Sequence, residues 1–119
     1  MKLICSETLI VKKSKFIGYY YQIDNENEVN DIIKGLKIEH KKCDHIPYAY
    51  KIGNIERKYE DKEPTNTAGL PILALINKKK IDNTLIAVVR YFGGLKLCSG
   101  GLYIAYMKCA NMCLNKKIS

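Results

Sequence analysis

Hydrophobic positions alternate with polar ones, then recur every three to four residues, then alternate again, and these changes of period divide the chain into elements. Glu7 to Val11 and Lys15 to Ile23 are rich in β-branched and aromatic residues and flank the polar turn Lys12-Lys13-Ser14, which predicts a hairpin. Asp24 and Asn25 offer helix caps, Glu28 stands three residues after Asn25 as in a capping box, and Val29, Ile32, Ile33 and Leu36 follow at helical spacing. A helix is predicted over about 26–40. From His45 to Ile52 alternation returns, with Ile46, Tyr48, Tyr50 and Ile52 on one face, and Gly53-Asn54 ends this third strand.

Ile55 to Thr67 is the longest polar stretch and mixes charges of both signs, so it is expected to be a loop; one this long in a small domain is functional or disordered. Thr67-Ala68-Gly69-Leu70-Pro71 opens a short helix over 69–77, with Pro71 in its first turn. Leu85 to Val89 is a continuous aliphatic run, the mark of a strand buried on both faces. A final helix is expected over 101–114. The order ββαβαβα predicts an α/β two-layer sandwich, a four-stranded sheet with three helices. Val29, Ile33, Leu36, Leu73, Ile76, Ala105 and Cys109 are expected to face that sheet.

Composition narrows the classes. The chain's 119 residues suit one domain, no apolar run approaches the ~20 residues of a membrane span, and the N-terminal residues carry no signal-peptide core. A soluble, cytoplasmic protein without membrane partners is expected. The net charge of +8 would concentrate a polyanion such as RNA or the ribosome. Most of the excess is lysine in short runs (Lys12-Lys13, Lys41-Lys42, Lys78 to Lys80, Lys116-Lys117), which an ordinary solvated surface explains equally.

Five cysteines without framework spacing argue for free thiols. Cys109 and Cys113 share a helical face with Leu102, Ala105 and Met112 and are expected to pack as small apolar side chains. His40, Cys43 and His45 supply three metal-ligand types but no clear fourth, so neither metal nor cofactor is expected. Cys98 precedes a helix N-terminus, which would lower its thiol pKa, yet nothing in the sequence sets a base beside it.

Four of the eight glycines, Gly93, Gly94, Gly100 and Gly101, fall within nine residues between the aliphatic strand and the last helix. Such a loop suits close approach of a ligand, and it also suits tight packing of strand and helix.

These segments resemble a known family. Lys13-Ser14-Lys15-Phe16-Ile17, His45-Ile46-Pro47-Tyr48-Ala49-Tyr50, the run from Glu60 to Ile72, Val88-Val89-Arg90-Tyr91-Phe92-Gly93-Gly94 and Ser99-Gly100-Gly101-Leu102 are similar, in order, to the N-terminal domain of the Impact/YigZ family. The resemblance implies an α/β sandwich like domain 2 of a small-subunit ribosomal protein and domain IV of elongation factor G. It also implies a link to translation. Eukaryotic members are known as translational regulators that compete for the co-activator of a starvation-sensing kinase. Bacterial members usually continue into a ferredoxin-like domain, expected to be absent from this chain.

The chain departs from the family's usual residues. Lys62, Asn66 and Cys98 stand where glycine is usual, Leu70 where a basic residue is, and Ile104 where Arg is frequent. Two readings of function follow. In one, a non-catalytic module binds RNA, the ribosome or a regulatory protein through the 57–69 and 90–101 loops. In the other, the glycine loop holds a phosphate while Glu60, Asp61 or Glu63 supports metal-assisted chemistry. The binding face is expected to involve Glu63, Thr67, Gly69, Arg90, Gly93, Gly94, Lys96, Ser99, Gly100 and Gly101. Arg90 would be its fixed cation and Thr67 and Ser99 its hydroxyl donors, with Glu63 orienting Arg90, reaching a partner's cation, or simply pairing with Arg90 to pin the long loop.

Overall fold

Strand-forming and helix-forming segments assemble around the most apolar of them. The computed structural model describes residues 1–115, so the Lys116-Lys117 run lies outside the described residues. Its elements are β1 (Lys2–Val11), β2 (Ser14–Gln22), α1 (Glu26–Glu39), β3 (Tyr48–Ile52), β4 (Ile55–Tyr59), α2 (Gly69–Lys78), β5 (Thr84–Tyr91) and α3 (Ser99–Asn115). The strands form one antiparallel sheet in the order β1-β2-β5-β3-β4. Leu85 to Val89 thus lies in the central strand, and all five side chains are fully buried. Burial of each large aliphatic side chain stabilises the fold by about 1.5–3 kcal/mol.

Because side chains alternate along β5, its two faces serve two apolar clusters. Leu85, Ala87 and Val89 meet Val29, Ile32, Ile33 and Leu36 of α1, whereas Ile86 and Val88 meet Ile72 and Ile76 of α2 and Leu102, Ala105, Tyr106 and Cys109 of α3. Helix α1 therefore covers one face of the sheet, and α2 with α3 cover the other. Leu73 lies half-buried at the margin of the second cluster. The Asn25 side chain caps α1, accepting from the Glu28 N–H.

The structure adds a fifth strand. Ile55 to Tyr59, expected to be loop, pairs with β3 from Tyr48↔Tyr59 to Ile52↔Ile55. Its side chains are exposed except for the half-buried Ile55, as befits an edge strand that contributes almost nothing to the core. The expected third strand is shorter than 45–52. His45 makes only an isolated bridge to Arg90, because Pro47 has no N–H to extend the ladder. Strand β1 reaches back to Lys2, and α3 starts at Ser99 rather than Gly101.

At the β1–β2 hairpin, Lys12 and Lys13 both have positive φ, 46° and 66°, the arrangement of a type I′ turn. Gly93 packs onto this turn so closely that a Cβ there would stand 2.0 Å from the Lys13 carbonyl oxygen.

Candidate functional site

The residue that organises the site is Arg90, one position before the end of β5, on the face covered by α2 and α3. Its side chain is 7% exposed, and Nη1 donates to Glu63 Oε2 at 2.7 Å. The Tyr106 hydroxyl, from the second turn of α3, donates to the same carboxylate oxygen. On the other side, His45 Nε2 stands 3.6 Å from Glu63 Oε1. Three separate segments thus converge on one buried carboxylate. Burial, followed by the charge of Glu63, raises the Tyr106 pKa far above that of a free phenol, so its proton stays available for that bond. The Arg90 guanidinium lies 5.5 Å from the Phe16 ring and 5.8 Å from the Phe92 ring, while its Nε is buried and without a partner.

A cavity of about 410 Å³ opens beside this network. Arg90 and Glu63 contribute to its walls with Asp44, His45, Pro64, Phe92, Lys96, Leu97 and Leu102. The 57–69 and 90–101 segments are therefore neighbours in space. The turn after α1 reaches the same place, since Asp44 N–H donates to the Arg90 carbonyl at 2.9 Å and Asp44 Oδ2 accepts from Phe92 N–H at 2.7 Å. Phe92, Leu95 and Lys96 stand exposed at the margin.

The expected site residues separate into groups. Glu63, Arg90 and Lys96 line the cavity. Thr67 does not present its hydroxyl outward: Oγ1 donates to the Pro64 carbonyl at 2.6 Å, and the side chain is buried. Gly69 packs against the Tyr59 backbone, where a Cβ would come within 3.0 Å. Gly93 is fixed by its contact with the hairpin turn, and Gly94 adopts φ +92°. Ser99, Gly100 and Gly101 open α3, where the first two are exposed. Arg90 is not a free cation, because Glu63 neutralises it.

The carboxylates of the long loop do not gather. Glu60 reaches the start of α2, where Oε1 accepts from Ala68 N–H at 2.9 Å and Gly69 N–H at 2.8 Å, and Oε2 from Leu70 N–H at 3.3 Å. Partial burial would raise its pKa, but the Ala68 and Gly69 bonds and the Lys58 ammonium outweigh that and leave it lowered. Asp61 accepts from Ile46 N–H at 2.6 Å, and Glu63 serves Arg90. With each carboxylate given to a different partner, the reading of metal-assisted chemistry at Glu60, Asp61 and Glu63 loses its ligand set. Among the described residues no three His, Cys, Asp or Glu side chains are placed to hold a metal ion. His40 and His45 also part company: His40 bridges the Tyr19 and Tyr91 hydroxyls at 2.7 and 2.6 Å, whereas His45 Nδ1 is 2.7 Å from the Asp61 carbonyl oxygen.

The family departures acquire a backbone meaning. Lys62 and Asn66 have φ of 65° and 63°, so glycine at these positions relieves left-handed backbone and need not touch a ligand. Cys98 caps α3, accepting from Gly101 N–H at 3.3 Å, and that bond lowers its thiol pKa. Sequence reasoning missed Tyr106, Phe92, Asp44, Leu97 and the contact from His45. Tyr106 had a signal, since a tyrosine on the apolar stripe of a helix needs a partner for its hydroxyl.

Among the described residues no helix is long and apolar enough to cross a membrane. The sequence profile of the Impact N-terminal domain matches residues 12–114. The chain is 37% identical over 110 residues to IMPACT family member YvyE of Bacillus subtilis, covering 90% of this chain and 51% of that protein. It is 31% identical over 111 residues to IMPACT family member YigZ of Escherichia coli, covering 89% and 54%. A crystal structure of a hypothetical protein superposes with a TM-score of 0.91 at 29% identity, over 94% of this chain and 57% of that one. The two-domain translational regulator Yih1 superposes with a TM-score of 0.59 at 20% identity, over 97% and 46%, a likeness of fold. The chain spans about half the length of the curated relatives it matches. The chain belongs to the Impact N-terminal domain family.

Proposed function

We propose that this chain is a non-catalytic binding module of translation or its regulation, and that it engages RNA, including the RNA of the ribosome, across the end of the sheet where the 57–69 and 90–101 segments meet. Membership of the Impact family supports the link to translation. The observation that carries the RNA reading is the convergence of lysines far apart in sequence. Lys12 and Lys13 are held beside Gly93, Lys96 lines the cavity, and Lys41 and Lys42 stand on the turn that reaches Arg90 through Asp44. All five are exposed. An exposed aromatic ring, Phe92, lies among them. Basic side chains around an aromatic suit a single strand, whose phosphates neutralise the charge while a base stacks.

Affinity for a short single-stranded RNA measured against salt tests the reading. Binding weakens steeply as salt rises, and Lys12→Ala with Lys13→Ala lowers the slope by about one for each phosphate left without its lysine. Lys78→Ala with Lys79→Ala, on the exposed C-terminal end of α2, has a smaller effect. A flat salt response, or equal losses from the two pairs, rejects an RNA site at this end and leaves a regulatory protein as its partner.

A further inference from the structure

The cavity beside Arg90 has a charge balance that a phosphate site would not have. Arg90 and Lys96 are matched by Glu63 and Asp44, and the rest of the lining apart from His45 is apolar: Pro64, Phe92, Leu97 and Leu102. A phosphate group placed inside would face two carboxylates and gain little from Arg90, which Glu63 already neutralises. A flat heteroaromatic ring fits the same walls better. One of its faces would lie against Phe92, which is 51% exposed. Its edge would find a donor in Arg90 Nε–H, which is buried and unpartnered, and acceptors in the Asp44 carboxylate. Leaving that Nε–H without a partner costs stability, which an acceptor brought by a ligand would recover. Lys96 is exposed where it lines the cavity, and the Lys12-Lys13 turn sits beside Gly93, so cations flank the cavity where a strand's backbone would run.

Resting on the RNA reading above, we propose that this cavity receives one unstacked base of a single-stranded RNA, with Phe92 as the stacking surface, Arg90 Nε and Asp44 reading the base edge, and Lys96 and the Lys12-Lys13 turn holding the flanking phosphates. Stacking of a splayed base on an aromatic side chain, with hydrogen bonds to its edge, is the usual way proteins read single-stranded RNA.

The test compares an eight-nucleotide single-stranded RNA with an abasic ribose-phosphate strand of the same length and charge. The base-containing strand is expected to bind about tenfold more tightly, the scale of a single stacked base. Phe92→Ala removes most of that difference without changing the salt slope, and Phe92→Tyr keeps it. Since Phe92 is half-exposed, the alanine variant retains its fold, which circular dichroism checks. Equal affinity for the two strands, with the steep salt dependence intact, overturns the base pocket and leaves the polyanion reading standing. Absence of binding to either strand at low salt overturns both.

Discussion

The two segments that meet at the cavity are built in opposite ways. In 57–69 the carboxylates and Thr67 are committed to the fold while Arg57, Lys58, Lys62, Thr65 and Asn66 stay exposed: Glu60 closes the start of α2 with three accepted bonds, Asp61 holds Ile46, Thr67 folds back on Pro64, and Glu63 is buried against Arg90. In 90–101 the backbone is pinned at Gly93 and Leu97 is buried, but Phe92, Leu95, Lys96, Cys98 and Ser99 face solvent. The more heavily charged segment is thus the structural one, and the glycine-rich segment carries the exposed chemistry. A run of charges therefore says little about function until its partners are known, because a carboxylate that accepts from three backbone N–H groups, as Glu60 does, is already satisfied.

The largest effect should come from breaking the inward segment. Arg90→Ala leaves the Glu63 carboxylate buried without its guanidinium and should destabilise the fold by about 3–5 kcal/mol in denaturant unfolding. Replacing Glu63 and Arg90 together with apolar residues should cost much less than either single change; additive losses would show that the two act independently.

Loss of the α2 cap ranks next. Glu60→Ala should cost about 1–2 kcal/mol near neutral pH. Its folded pKa lies below the ordinary 4.5, so the carboxylate stabilises the fold above that value, and the contribution is lost as pH falls through the lower folded value. The gap between wild type and Glu60→Gln should therefore narrow as pH is lowered from 5 towards 3; a constant gap over that range would mean that the cap does not depend on charge.

The exposed segment should respond in binding rather than in stability. Lys96→Ala should stay within about 0.5 kcal/mol of wild type while weakening RNA binding, the reverse of the Glu60 variants. Cysteine reactivity gives the finest contrast. Cys98 is exposed with its pKa lowered by the Gly101 N–H, whereas burial pushes Cys109 and Cys113 up to about 12. Iodoacetamide near pH 8 should label Cys98 first and reach Cys109 and Cys113 only on unfolding, as peptide mass mapping would report.

How much of this was legible depended on whether one segment could speak for itself. The aliphatic run 85–89 declared a strand buried on both faces, and Asn25 with Glu28 declared a helix start, because each signal is local. Strand β4 stayed hidden. An edge strand whose side chains are exposed except for a half-buried Ile55 keeps no alternation, although Gly53 at the first position of a two-residue turn matches a hairpin as well as a strand end. Pairing of Glu63 with Arg90 could be weighed from the sequence, but Tyr106 and His45 join that pair only through α3 and the link before β3, which no spacing reveals. Assignment of the glycines to packing likewise needed the Lys13 carbonyl that Gly93 meets.

The hairpin tip sets two selective demands against each other. Left-handed backbone at Lys12 and Lys13 costs about 1 kcal/mol per residue relative to the Asn-Gly pair that a type I′ turn favours. Substituting that pair would raise the melting temperature and remove two positive charges from the end of the molecule that gathers them. A lineage selected only for robustness would drift towards Asn-Gly, whereas one selected to hold a polyanion would keep the lysines and tolerate a less stable turn.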